Sequence, residues 1–241
     1  MSVLLGHASI DENGRAHGGK AGDQTGREVC VRTWYSNSWS VLLRPKSEAV
    51  AEKMAKFCEA VCANDLVGYD QYERNSLRAQ AKAAGWDGSK ISSACETDCS
   101  AFMCVCAEAA GVDATKLYSG GNASTTWTMK ANFTATGAFD ALTDAKYLTT
   151  DKYLRRGDIR VKESGHTAMV LSNGLLSEAV NPAASAPTSA GEIKPGDTVQ
   201  FLGGKYYSVA SGSVGYTGNP GPARVTLVVK GAKHPYHLIH T

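Results

Sequence analysis

The sequence has no long hydrophobic run. Val3, Leu4 and Leu5 form a short apolar cluster near its start with no basic residue before them, and no later stretch approaches membrane-spanning length. The expectation is a chain made in a cytoplasm without a signal peptide and without membrane insertion. It also lacks a charge excess: a net charge of +2 with a pI near 8.1 is too mild for nucleic-acid binding, yet compatible with weak attraction to an anionic surface. A phosphate-cradling loop is absent, because "GGKAGDQTG" lacks the Gly-Lys-Ser/Thr ending. There is no cofactor motif, no carboxylate pair at convincing glycosidase spacing and no internal repeat. With 43% hydrophobic and 20% charged residues, the composition is that of a folded protein with a substantial core, and nothing in it argues for disorder.

Cysteine is plentiful but patterned for neither metal nor disulfides. There are seven, an odd number that cannot pair completely within one chain, and a reducing cytoplasm leaves thiols free. Four of them fall in "CETDCSAFMCVC", residues 95–106. Structural zinc calls for two C-x2-C pairs, or Cys pairs matched by His pairs. Here the intervals are three residues between Cys95 and Cys99 and one between Cys104 and Cys106, and no His lies nearby, so no metal is expected.

Residues 6–28 are rich in Gly and polar side chains and read as an irregular segment containing His7 and His17. "EVCVRTWYSNSWSVLLRP" has the β-branched and aromatic content of extended structure. Helical periodicity starts after Ser47, a plausible N-cap, with Cys58 and Cys62 one turn apart as small core residues. "NSLRAQAKAAGW" reads as a second helix ended by Gly85, and residues 97–111 as a third closed by Gly111. Further on, "GDIRVK", "GHTAMVLSNG" and "LLSEAVN" read as consecutive strands joined by Gly-containing turns. Helices followed by a strand meander indicate an α+β domain over residues 1–181. "PAASAPTSAG" (182–191) has a linker's composition, and residues 192–241 form a small all-β module.

Within the cysteine cluster one residue is placed for chemistry. Thr97 and Asp98 are good N-cap residues, which puts Cys99 in the first turn of the third helix, where unsatisfied amides favour the thiolate. Cys104 and Cys106 lie further in and read as packing. A cysteine nucleophile needs a general base. Of six histidines, His166 opens an apolar strand directly after a Gly. Alone, such a residue is more often structural; with Cys99 the balance reverses. A base also needs an orienting partner. If 167–171 and 175–180 form a hairpin, Glu178 returns beside His166, with Asn181 in reserve; the competing reading of Glu178 is a solvent-facing strand carboxylate.

"TDCSAF", "RRGDIRV" and "GHTAMVLSNG" together resemble the NlpC-type branch of papain-like cysteine peptidases, which cleave amide bonds in bacterial peptidoglycan. "GGKAGDQTGREV" and "GYDQYERN" resemble segments of phage-type endolysins of that branch, and "GPARVTLVVKGAKHPYHLI" an SH3-like wall-binding module. The resemblance implies a papain-like fold with helices packed on an antiparallel sheet. It implies Cys99 as nucleophile, His166 as base and Glu178 as the third member, although Glu departs from the His, Asn, Asp or Gln common there. Tyr69 or Gln24 would supply an oxyanion donor beside the Cys99 amide, and Asp23, Trp34 and Tyr35 would line the groove. The tail stops short of the strand that follows "HPYHLI" in relatives, so a truncated or a shortened module is expected. The implied protein is a monomeric peptidoglycan hydrolase, an endolysin acting at the wall after release from the host cytoplasm, cutting within the stem peptide as an endopeptidase through a thioester. The same apparatus would serve an N-acetylmuramoyl-L-alanine amidase. A non-catalytic wall-binding protein and a toxin acting on a host protein are the readings from other classes.

Overall fold

A computed structural model describes residues 2–177, 193–201, 204–207, 211, 215–218, 221–230, 232 and 236–240. The chain divides into two compact units, Met1–Ser177 and Glu178–Thr241. The expected linker and the Glu178 and Asn181 assignments lie outside the described residues.

The first unit is built on a six-stranded antiparallel sheet. Its strands come from both ends of the segment: β1 (Leu4–Ala8), β2 (Val29–Thr33) and β3 (Val41–Pro45) early, and β8 (Phe139–Leu142), β9 (Ile159–Lys162) and β10 (His166–Val170) late. The spatial order is β2-β1-β10-β9-β3-β8. Between them run α1 (Glu48–Cys62), β4 (Val67–Tyr69), α2 (Ser76–Ala83), β5 (Cys95–Thr97), α3 (Cys99–Ala109), the short ladder β6 (Tyr118–Ser119) and β7 (Asn122–Ala123), α4 (Met129–Ala135) and α5 (Ala145–Leu148).

The helices form as the sequence predicts. Ser47 caps α1 by accepting the Val50 amide, and Met54, Phe57, Cys58 and Val61 bury one stripe at helical spacing. Cys104 and Cys106 of α3 are fully buried. α1 and α3 share a core with Met169, Val161, Ile159, Leu43 and Val29 from one face of the sheet. The opposite face carries the fully buried Arg160, whose guanidinium lies 4.9 Å from the Trp39 ring and 5.5 Å from that of Trp34.

Two expectations fail in instructive ways. The segment expected to be irregular from residue 6 supplies β1, an interior strand between β2 and β10. Its glycine is a packing requirement: a Cβ on Gly6 would lie 2.5 Å from Cys58 Sγ, so α1 reaches this strand only because position 6 has no side chain. Of the expected hairpin between 167–171 and 175–180, the described part of the second arm, 175–177, is not a strand, and 178–180 lie outside the described residues. Strand β10 is paired on one side by β9 and on the other by β1, which leaves no free edge for a following strand. Instead, the Gly174 and Leu176 amides donate to the carbonyls of Leu154 and Lys152.

The second unit contains a three-stranded antiparallel sheet, β11 (Thr198–Phe201), β14 (Gly221–Val228) and β15 (Tyr236–His240), in the order β11-β14-β15. A separate ladder joins β12 (Gly204–Tyr207) to β13 (Gly215–Gly218). Ala223 and Val225 point inward from β14.

Candidate active site

Cys99 is positioned by its N-cap. Asp98 accepts the Ala101 amide at 2.7 Å and is itself gripped by Arg74, whose Nε lies 2.6 Å from the carboxylate. Arg74 also donates to Ser100 Oγ and to the carbonyls of Ala123 and Ser124. One guanidinium thus ties the loop before α2, the start of α3 and the β7 region together.

The thiol is 6% exposed and sits against the backbone amide of Thr167, the residue after His166. No hydrogen bond joins Cys99 to His166 among the described residues. The electrostatics differ from the helix-start expectation. Burial, with the neighbouring Asp98 charge, pushes the Cys99 thiol up to about 12, outweighing the Thr167 and Ser100 amides and Arg74. A helix N-terminus stabilises a thiolate only where competing charge and desolvation are small, and here they are not. The free protein therefore holds a neutral thiol.

His166 opens β10 within a cluster of rings. Tyr35 and Trp39 lie 6.4 and 6.2 Å from it between centroids, and His7 lies 5.4 Å away, nearly perpendicular. Burial, then the positive charges of Arg32 and Lys162, depress its pKa to about 4, so at neutral pH it is an uncharged base. His7, in the segment expected to be irregular, is 2% exposed and hydrogen-bonds to it, Nδ1 to Nε2, at 3.2 Å. Burial, with His166 and Arg32 nearby, depresses the His7 pKa to about 3. The other ring nitrogen of His7 lies 3.6 Å from Cys30 Sγ, and that thiol lies 3.4 Å from the Arg27 carbonyl. A cavity of about 660 Å³ opens beside this group, with His7, Cys30, Arg27, Arg32, Ile10 and Asp11 in its wall.

The remaining residues singled out from sequence divide clearly. Tyr69 is paired in register with Thr97 and its hydroxyl accepts from Gln71 Nε2 at 3.1 Å. Burial, and then the Cys99 sulfur, push it up to about 12, as they do Tyr35, so both phenols near the thiol stay protonated. Trp34 packs against the Arg160 guanidinium on the second face of the sheet. Asp23 has a different task from groove lining. Its two oxygens accept the amides of Thr25, Gly26, Arg27, Glu28 and Val29, shaping the turn that feeds β2. Burial raises its pKa, but these amides outweigh that and hold it below the usual carboxylate range. The Gln24 carboxamide donates to the Ala21 and Gly22 carbonyls of its own loop, so it is engaged away from an oxyanion role.

The fold and this site define an α+β domain with a cysteine at a capped helix start, set against a sheet strand that begins with a half-buried histidine. The chain belongs to the endolysin-like domain family, whose model matches residues 5–177. That membership makes it a lysin-type domain, a hydrolase directed at the peptidoglycan of the cell wall. No curated protein and no solved structure matches it. No helix among the described residues is long and apolar enough to cross a membrane.

Proposed function

We propose that this protein is a papain-like, NlpC-type cysteine hydrolase that cuts an amide bond in the peptidoglycan stem peptide, as an endopeptidase. The observation that carries this reading is the seating of the Cys99 sulfur, at the capped start of α3, against the amide next to His166. Because thiol and imidazole are both neutral at rest, proton transfer accompanies attack: His166 takes the Cys99 proton as sulfur adds to the carbonyl carbon. The resulting oxyanion meets the Cys99 amide at the helix N-terminus and the protonated Tyr69 hydroxyl. His166 then protonates the leaving amine, and water, activated by the same imidazole, hydrolyses the thioester. Arg27 and Arg32 on the cavity wall suit the carboxylates of a stem peptide, while the apolar Ile10 offers contact to its side chains. The same machinery serves an amidase cutting at the lactyl group, and mass spectrometry of the digest distinguishes the two. The β-rich second unit is assigned wall binding as an SH3-like module.

The test is turbidity loss of purified Gram-positive walls with wild type, Cys99→Ala and Cys95→Ala. Cys95 is the matched control, a buried thiol also pushed up to about 12. Clearing lost only in Cys99→Ala supports the mechanism; equal clearing by all three removes it.

A further inference from the structure

We propose that His7 is the positioning residue for His166, and that the Arg27 carbonyl fixes the tautomer of both histidines through the Cys30 thiol. This rests on the reading of His166 as the base, and it moves the third member of the site from the downstream strand to the first strand of the fold.

The placement follows from topology. β1 pairs with β10 in the register Leu5 to Val170 and Gly6 to Met169, and β2 pairs with β1 in the register His7 to Cys30. Side chains alternate along a strand and agree across a register pair. His7, His166 and Cys30 therefore stand on one face of three adjacent strands, as their contacts of 3.2 and 3.6 Å show. β1 occupies the position beside β10 that a downstream hairpin partner would otherwise take.

The proton order then follows from donor and acceptor chemistry. A backbone carbonyl only accepts, so the contact between Cys30 Sγ and Arg27 O requires the thiol proton to lie there. Burial keeps Cys30 a thiol by raising its pKa, so that proton is present. Its sulfur is then left as an acceptor toward His7 Nε2, which must carry the ring proton of His7. His7 Nδ1 is consequently unprotonated and accepts from His166 Nε2–H. This leaves Nδ1 of His166 with a free lone pair, the nitrogen able to take a proton from a nucleophile. The opposite tautomer chain would place a proton on that Nδ1 and disable the base. It would also take the thiol proton away from the Arg27 carbonyl.

The decisive experiment is nitrogen-15 NMR of the full chain labelled at histidine, with the His166 signals assigned by their loss in His166→Gln. An Nε2–H tautomer of His166 in wild type and in Cys30→Ser, whose hydroxyl keeps both hydrogen-bonding roles, is expected. The Nδ1–H tautomer in wild type overturns the proposal. Kinetics on soluble muropeptides give a second readout. His7→Ala should lower kcat on the order of 10²-fold with KM little changed, and His7→Asn, whose side-chain oxygen can accept near the Nδ1 position, should recover much of it. Equal loss in His7→Asn and His7→Ala with unchanged melting curves, or loss in Glu178→Ala rather than His7→Ala, would overturn it. The NMR result does not depend on catalysis, so it separates failure of this proposal from failure of the cysteine mechanism, which Cys99→Ala tests.

Discussion

At the scale of single residues, the candidate site is a set of groups whose pKa values are held away from their ordinary ones, in the direction that keeps each neutral. Burial and the Arg32 and Lys162 charges depress His166 to about 4, while burial and Asp98 raise Cys99 to about 12. A base works only when unprotonated, so with His166 in the proposed role of base the acid limb of kcat/KM reports its free-enzyme pKa. The profile on soluble muropeptides is expected to stay flat down to about pH 5 and to fall near 4. A limb at the ordinary histidine value of about 6.5 would contradict the buried environment. Arg32→Gln removes a charge that opposes protonation, so its limb should move toward higher pH. Unfolded histidines titrate at about 6.5, so folded groups with depressed values contribute stability above that pH. This contribution is lost as the pH falls toward the folded values, and melting temperature should be recorded beside rate. The helix start at Cys99 and the strand start at His166 were legible in the sequence because each has a local landmark, an Asp cap before a helix and a Gly before a strand. His7 had no such landmark. Its partner is 159 residues away, and only the strand order brings them together.

At the scale of elements, the helices were more legible than the strand pairings, for a physical reason. The Ser47 and Asp98 caps and the terminating Gly85 and Gly111, both at positive φ, are local signals. A strand of five residues containing Gly6 carries almost no local signal, and β1 exists because α1 and β10 receive it. The "RRGDIRV" motif shows how such long-range demands leave a trace. Gly157 has φ +88°, and a Cβ there would lie 2.5–2.6 Å from Ala51 atoms of α1, backbone included. Next to it, the fully buried Asp158 receives two hydrogen bonds from Arg44 of β3, at 2.8 and 2.6 Å, and the Arg155 amide. This pair locks β9 against β3 and so sets the height at which β10 presents His166. Arg44→Ala would leave a buried carboxylate without its cation, and is expected to destabilise the first unit by about 3–5 kcal/mol. Urea unfolding followed by circular dichroism measures this. A loss below about 1 kcal/mol, the range of an exposed ion pair, would mean that Asp158 finds another partner and does not fix the strand.

At the scale of the whole molecule, two descriptions of the first unit coincide. The compact unit ends at Ser177, and the endolysin-like domain match covers residues 5–177. Both place β1, and hence His7, inside the domain: the first strand belongs to the sheet as fully as β10 does. The α+β class was readable from element order, but the placement of β1 inside the sheet between β2 and β10 was not, since non-local pairing leaves no periodicity to read. This yields opposite expectations for trimming the two ends. A chain of residues 1–177 keeps every strand of the six-stranded sheet, so it should fold and cleave soluble muropeptides at close to the full-length rate. If the second unit is the wall-binding module, the same chain should no longer sediment with purified walls. A chain starting at residue 9 keeps Cys99 and His166 but lacks β1. It should expose the β2 and β10 edges, lose cooperative unfolding and be inactive even on soluble substrate. Melting curves, co-sedimentation and muropeptide kinetics on the two truncations decide the matter. An active, cooperatively folding chain from residue 9 would show that β1 is an accessory. A 1–177 chain that still sediments with walls would move wall recognition into the first unit, where the cavity lined by Arg27 and Arg32 is the place to look.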